Sequence, residues 1–168
     1  MVKLAATSQR ANAADPAALL SGMNQALCGN TQNQFVTAAY VHLDVDSASL
    51  RYAAAAHPPM LLSRAGEVIP VEQNGLFLAA FPFATYSSVL LPFQPGDRLL
   101  LYTDGIIEAA NAEDVEFGQH RLSALLAESR SLGPEKAADH IISTIESWSR
   151  TQNDDLTVLI CDCVEPNT

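Results

Sequence analysis

The sequence predicts an α+β protein, with strands gathered in the middle of the chain and helices grouped before and after them. Three observations carry this expectation. Apolar residues recur at helical spacing in the first thirty residues and again after Gly118. Between Gln34 and Thr103 the pattern changes to short β-branched and aromatic runs, broken by Gly, Pro, Asp and Ser. A chain of 168 residues with 48% hydrophobic and 17% charged side chains has the composition of a single globular domain, 1–168, able to bury roughly two thirds of its unfolded surface. Strands in one block with helices segregated around them form layers in which helices cover sheets.

The opening "MVKLAATSQRANA" reads as a helix without a proper beginning, because apolar residues start at once and no Ser, Thr, Asp or Asn cap precedes them. "DPAALLSGMNQALCGN" is a complete helix. Asp15 is its cap, Pro16 its first residue, Leu19, Leu20, Met23 and Leu27 its apolar face, and Gly29 its stop. "FVTAAYVHLDVD" and "ASLRYAAAA" form a hairpin around Asp46-Ser47, and "PMLLSRAGEVIPVE" forms another around Ala65-Gly66. "YSSVLLPF" and "DRLLLYT" are expected to pair through Gln94-Pro95-Gly96, which would make the middle of the chain an antiparallel meander. Helices follow from about Gly118 to Ser129 and from Pro134 to about Arg150, the second with Ala138, Ile141, Ile142, Ile145 and Trp148 on one face. "LTVLICDCV" is the last strand, and no internal repeat or low-complexity segment interrupts the order.

Nineteen acidic against nine basic side chains give a formal charge of -10, which argues against nucleic acid, whose backbone requires clustered Lys and Arg. Cys28, Cys161 and Cys163 are odd in number and lack zinc-ligand spacing, so they read as reduced thiols. No stretch approaches the ~18 apolar residues of a membrane span, and no charged segment followed by an apolar core opens the chain. The expectation is a cytoplasmic protein without membrane insertion.

Chemistry is suggested where charge meets apolar strand. "LLLYTDGIIEAAN" places Asp104 at the end of a run fit for burial on both faces, and Gly105 permits a sharp turn or a close approach there. "QNDDLTVLI" places Asp154 and Asp155 immediately before another such run. Pairing of these two strands would bring the carboxylates to one sheet edge, where a shared proton or a divalent cation relieves their repulsion, and hard oxygen ligands suit Mg²⁺ or Mn²⁺. The competing reading is a pair of solvated turns. "DVDSAS" from Asp44 is no calcium loop, since it lacks the glycine at its sixth position and an acid at its twelfth, Ala55.

"FVTAAYVHLD", "LRYAAAAHPPMLL", "LLLYTDGIIEAAN", "EFGQHRL" and "NDDLTVLI", in this order, resemble the metal-dependent PPM (phosphatase 2C-like) serine/threonine protein phosphatases, and most closely the bacterial branch typified by stage II sporulation protein E. The resemblance covers about residues 1 to 163. It implies an antiparallel β-sandwich flanked by helices, with two Mn²⁺ or Mg²⁺ ions at one end. Asp104 matches the family's Thr-Asp-Gly metal ligand and Asp154 its late aspartate ligand, with Asp155 the lesser of that pair. Gly105 would keep the backbone clear of the coordination sphere, and His57 and Glu108 are candidates for the edge of the site, although Ala56 replaces the glycine that precedes the family's histidine.

The Gly-Asp-x-x-Asp-like and Asp-x-x-Gly-His-Gly segments that supply the family's other ligands do not occur here. The chain therefore looks like the C-terminal portion of such a domain, without its N-terminal strands, and edges left unpaired favour dimers. What the resemblance implies is hydrolysis of phosphoserine or phosphothreonine on a protein, with a phosphorylated anti-sigma-factor antagonist as substrate and a sensor or receiver domain upstream. A noncatalytic interaction module that binds a regulatory partner is the alternative.

Overall fold

The computed structural model describes residues 1–32, 34–150 and 154–165. In chain order they form α1 (Val2–Ser8), a 3-10 turn (Arg10–Asn12), α2 (Pro16–Leu27), β1 (Ala38–Asp44), β2 (Ser49–Ala55), β3 (Met60–Arg64), β4 (Glu67–Val71), β5 (Val89–Pro92), β6 (Arg98–Tyr102), α3 (Gly105–Glu108), α4 (Gly118–Glu128), a second 3-10 turn (Ser129–Ser131), α5 (Pro134–Trp148) and β7 (Val158–Asp162). The strands make two antiparallel sheets, β1-β2-β5 and β4-β3-β6-β7. Contacts divide the chain into two compact units, Met1–Pro59 with Glu72–Gln94, and Met60–Val71 with Pro95–Thr168. No helix among the described residues is long and apolar enough to cross a membrane.

In the first unit the Asp15 carboxylate accepts hydrogen bonds from the Ala17 and Ala18 amides, and Pro16 opens α2. α1 has no side-chain cap, as its sequence indicates. Leu19, Leu20, Met23 and Leu27 of α2 share a core with the small residues Ala53 and Ala55 of β2 and with Leu78. The buried Asn24 donates to the Phe81 carbonyl at 2.9 Å and accepts from the Ala79 amide at 2.8 Å, which fixes the 78–81 loop to the helix.

In the second unit Leu61, Leu100, Tyr102 and Ile106 share a core with Leu122 and Leu126 of α4 and Ile141 and Ile145 of α5. Among the described residues, two ion pairs stiffen its sheet. Arg98 meets Asp162 at 2.6 Å and also donates to the Ser129 and Leu132 carbonyls, and Arg64 meets Asp97 at 2.6 Å. The Asp97 carboxylate, hydrogen-bonded to the guanidinium, holds Arg64 above its already high pKa.

One expected hairpin does not form. β5 pairs with β2, Leu90 opposite Arg51 and Leu91 opposite Leu50, whereas β6 lies between β3 and β7. The Phe93 amide extends the first ladder by donating to Ala48, and the Gly96 amide extends the second by donating to Cys163. Gln94-Pro95-Gly96 is thus a crossover between sheets: turn residues show that the chain bends, not which strand it joins. The middle of the chain is accordingly two sheets and not one meander. α3 is a second departure, a four-residue helix too short to show periodicity in the sequence.

Candidate functional site

The antiparallel register of β6 and β7 sets Tyr102 opposite Val158, so the end of the first strand lies beside the start of the second. One residue further, the Thr103 amide donates to the Thr157 carbonyl at 3.1 Å. Asp104 follows as the N-cap of α3, its Oδ1 accepting from the Gly105 amide at 3.1 Å. Across from it, Asp154 Oδ1 accepts from the Asp155 amide at 2.8 Å. Asp104, Asp154 and Asp155 are all exposed.

Gly105 joins the two segments. A Cβ built on it would fall 2.8 Å from the Asp155 carbonyl oxygen and 3.3 Å from Asp154 Cβ, so only a bare Cα admits the 154–155 backbone at this distance. Glycine is needed here for close approach. The Thr103 hydroxyl binds the same segment, donating to the Asp155 carbonyl at 3.0 Å and accepting from the Thr157 amide at 3.1 Å.

A cavity of about 300 Å³ opens beside these residues, lined by Gly105, Glu108, Glu116, Glu146, Ser149 and Asp154 above an apolar floor that includes Ile145 and Leu156. Glu108, the last residue of α3, faces it. His57 belongs to the first unit, in the turn after β2, where its Nδ1 lies 3.0 Å from the Pro58 carbonyl and its main chain is held by Asn74. Ala56, in the place of the family's glycine, takes a φ of 49°, the left-handed conformation that glycine adopts without strain.

Sequence reasoning finds Asp104, Gly105 and Asp154 because charge and glycine at the ends of apolar runs are conspicuous. It does not single out Thr103, Glu116 or Glu146. Their proximity is tertiary, and the only local signal is the place of Thr103 between a buried strand and an exposed aspartate.

The donor set can be tested against a divalent cation. Mg²⁺ and ions like it are held by one or two carboxylates while keeping several waters, and an exposed pair of oxygen-donor segments closed on one another fits that demand. The described residues contain no cluster of three His, Cys, Asp or Glu that would make a ready cage. The set offers open, solvent-facing carboxylates and not a closed cage.

Comparison with known proteins gives a consistent result. The family model described as Stage II sporulation protein E (SpoIIE) matches residues 1–164. Protein IcfG of Synechocystis sp. is 29% identical over 93 residues, 55% of this chain, and the match spans only 15% of its own length. The SiaA-PP2C domain of Pseudomonas aeruginosa aligns with a TM-score of 0.83 at 22% identity, covering 96% of this chain and 69% of that one. The RsbU and RsbW domains of Rv1364c from Mycobacterium tuberculosis align equally well, also at 22% identity, over 99% of this chain and 47% of theirs. The catalytic domain of the serine threonine protein phosphatase PstP, in complex with 2 manganese ions, aligns with a TM-score of 0.72 at 14% identity, over 98% and 81% of the two chains. At these identities the solved structures establish the phosphatase 2C-like fold.

Proposed function

This chain belongs to the stage II sporulation protein E family, and we propose that it supplies one side of the centre of a metal-dependent protein serine/threonine phosphatase, with Asp104 and Asp154 as ligands to Mn²⁺ or Mg²⁺. The observation that carries this reading is the meeting of two acidic segments at one end of the β6–β7 pair, closed on each other at Gly105. The manganese ions of the PstP structure support the choice of metal. Divalent ions in such a centre lower the pKa of a coordinated water and neutralise phosphoryl oxygens, so hydrolysis requires no protein nucleophile.

The chain's own part is to hold and orient the carboxylates. The Gly105 amide fixes one oxygen of Asp104, and the Asp155 amide fixes one oxygen of Asp154. Asp155 ranks behind Asp154 as a ligand, as the lesser of that pair in the resemblance. Glu108 lies at the edge of the site, in the cavity that Asp154 also lines. His57 is assigned no role.

The substrate in this reading is a phosphorylated protein of the anti-sigma-factor antagonist class, acted on in the cytoplasm. The joining of RsbU and RsbW domains in the Mycobacterium tuberculosis structure supports that choice. The much greater length of Protein IcfG is in keeping with sensor or receiver segments elsewhere in such proteins.

The test is Mn²⁺-dependent release of phosphate from an aryl phosphate, by this chain alone and by the chain extended with the segment that precedes it in its relatives. Turnover by the extended protein is expected. In that protein Asp104→Asn should lower the rate by about 100-fold or more, as loss of a metal ligand does, while the melting temperature stays close to wild type. Retained turnover would exclude the ligand role. A folded but inactive protein in both forms would favour the noncatalytic module that binds a regulatory partner.

A further inference from the structure

We infer that Thr103 is the positioning residue of this site: its hydroxyl bridges the Asp155 carbonyl and the Thr157 amide and so sets where the Asp154 segment stands relative to Asp104. The inference rests on the reading of Asp104 and Asp154 as metal ligands. Its basis is geometric. The β6–β7 ladder proper ends at the Tyr102–Val158 pair, and the main-chain bond from Thr103 to Thr157 adds one further rung. Beyond that rung no further main-chain rung joins the two strands among the described residues, yet the two acidic segments stay together.

Among the described residues, two contacts of the Thr103 hydroxyl hold them. The hydroxyl accepts from the Thr157 amide at 3.1 Å and donates to the Asp155 carbonyl at 3.0 Å, using both of its capacities on one strand of backbone. That carbonyl is also the group that comes within 2.8 Å of the position a Gly105 Cβ would take. Thr103 and Gly105 therefore bound one carbonyl from two sides, the first by attraction and the second by making room. Asp154 precedes this fixed point by one residue and Asp104 follows Thr103 by one, so the hydroxyl acts on both carboxylates through a single residue of chain.

The role is distinct from a general contribution to folding. The main-chain rung from Thr103 to Thr157 does not involve the side chain, so the β6–β7 pairing stays intact when valine removes the hydroxyl. Thr103→Val keeps the side-chain shape and deletes both hydroxyl bonds. Thr103→Ser keeps the bonds and deletes only a methyl group.

The experiment compares wild type, Thr103→Val and Thr103→Ser in this chain by two measurements: exchange of the Thr157 amide hydrogen without metal, and the Mn²⁺ concentration that half-broadens the Gly105 and Asp155 amide resonances. For Thr103→Val, exchange should be at least about tenfold faster and the half-broadening concentration about tenfold higher. Thr103→Ser should match wild type in both. Unchanged exchange in Thr103→Val overturns the bridge itself, with or without metal. Faster exchange with unchanged Mn²⁺ response, or a Thr103→Ser variant as impaired as Thr103→Val, overturns the positioning role. Failure of the underlying ligand reading is recognised separately, as a wild-type Mn²⁺ response that is absent or that survives Asp104→Asn.

Discussion

The two units bury apolar faces by the same means but treat charge differently. In the first, the core under α2 is made of Leu19, Leu20, Met23 and Leu27 with alanines of β2, and Asn24 is its buried polar residue. In the second, buried Asp97 leads into β6, which opens with buried Arg98, continues through Leu99 and Leu100, and delivers an exposed Asp104 one residue past Thr103. Arg98 pairs with Asp162, its register partner on β7, so the ion pair lies directly across the ladder. The β6–β7 pair is thus tied by charge at one end and by the Thr103 hydroxyl at the other. A slip of one residue would reverse every side chain on the strand, and a strand that must present a carboxylate at a fixed place gains from such pins. The first unit packs its apolar core around the buried Asn24 amide, which ties the 78–81 loop to α2.

The largest effect should come from cutting the ionic pin. Arg98→Met leaves Asp162 without its ion-pair partner and takes the guanidinium donors from the Ser129 and Leu132 carbonyls, of which Ser129 keeps the Leu132 amide, and should cost about 3 kcal/mol or more of stability in urea unfolding. Adding Asp162→Leu removes the orphaned charge and should recover part of that loss, since a buried ion pair replaced by apolar groups of similar size is often near neutral. If the single substitution costs less than about 1 kcal/mol, the lower end for leaving a buried polar group unsatisfied, the ionic pin is not what distinguishes this sheet.

A middle-sized effect is expected at the other end. Gly105→Ala forces the Asp155 carbonyl to retreat from 2.8 Å, and overpacking of this kind costs about 1–3 kcal/mol. Gly133, at the N-cap of α5, has nothing within 4 Å of a built Cβ and supplies the control, with a change within about 0.5 kcal/mol for Gly133→Ala. Equal effects at the two glycines would remove close approach as the reason for Gly105.

Much of this contrast was legible in the sequence, and the part that was not has a common cause. α2 and α5 were readable because caps and a 3.6-residue period are local, and the hairpins at Asp46-Ser47 and Ala65-Gly66 because short turns between alternating runs leave few pairings. Asp104 and Asp154 stood out as charges beside strands too apolar to hold them. The partner of β5 was not readable, because Gln94-Pro95-Gly96 encodes a bend and its destination depends on β2, about forty residues earlier. Thr103 escaped for the same reason: a threonine at a strand end is ordinary until the Asp155 carbonyl is beside it. The acids of the cavity, Glu116 and Glu146, lie on separate segments that only the tertiary fold brings together.

The smallest expected effect tests a feature the units share. Each has a hairpin turn with an alanine in the left-handed region, Ala48 at φ 47° between β1 and β2 and Ala65 at φ 49° between β3 and β4. Both are exposed, so the Cβ buys no packing in return for a conformational cost of about 1–2 kcal/mol. Ala65 is followed by Gly66 at φ 92°, the succession of positive φ values that favours Asn-Gly or Gly-Gly in a two-residue turn. Replacing either alanine by glycine relieves the folded state and is opposed by the greater freedom glycine gives the unfolded chain, for a net gain of about 0.5–1 kcal/mol by thermal or urea unfolding. Ala48 also accepts from the Phe93 amide, so its turn is anchored to β5 as well as to its own hairpin. Equal gains for Ala48→Gly and Ala65→Gly would show that the strain is local to each turn; a gain at Ala65 alone would show that the β5 anchor needs the conformational restriction that alanine provides at position 48.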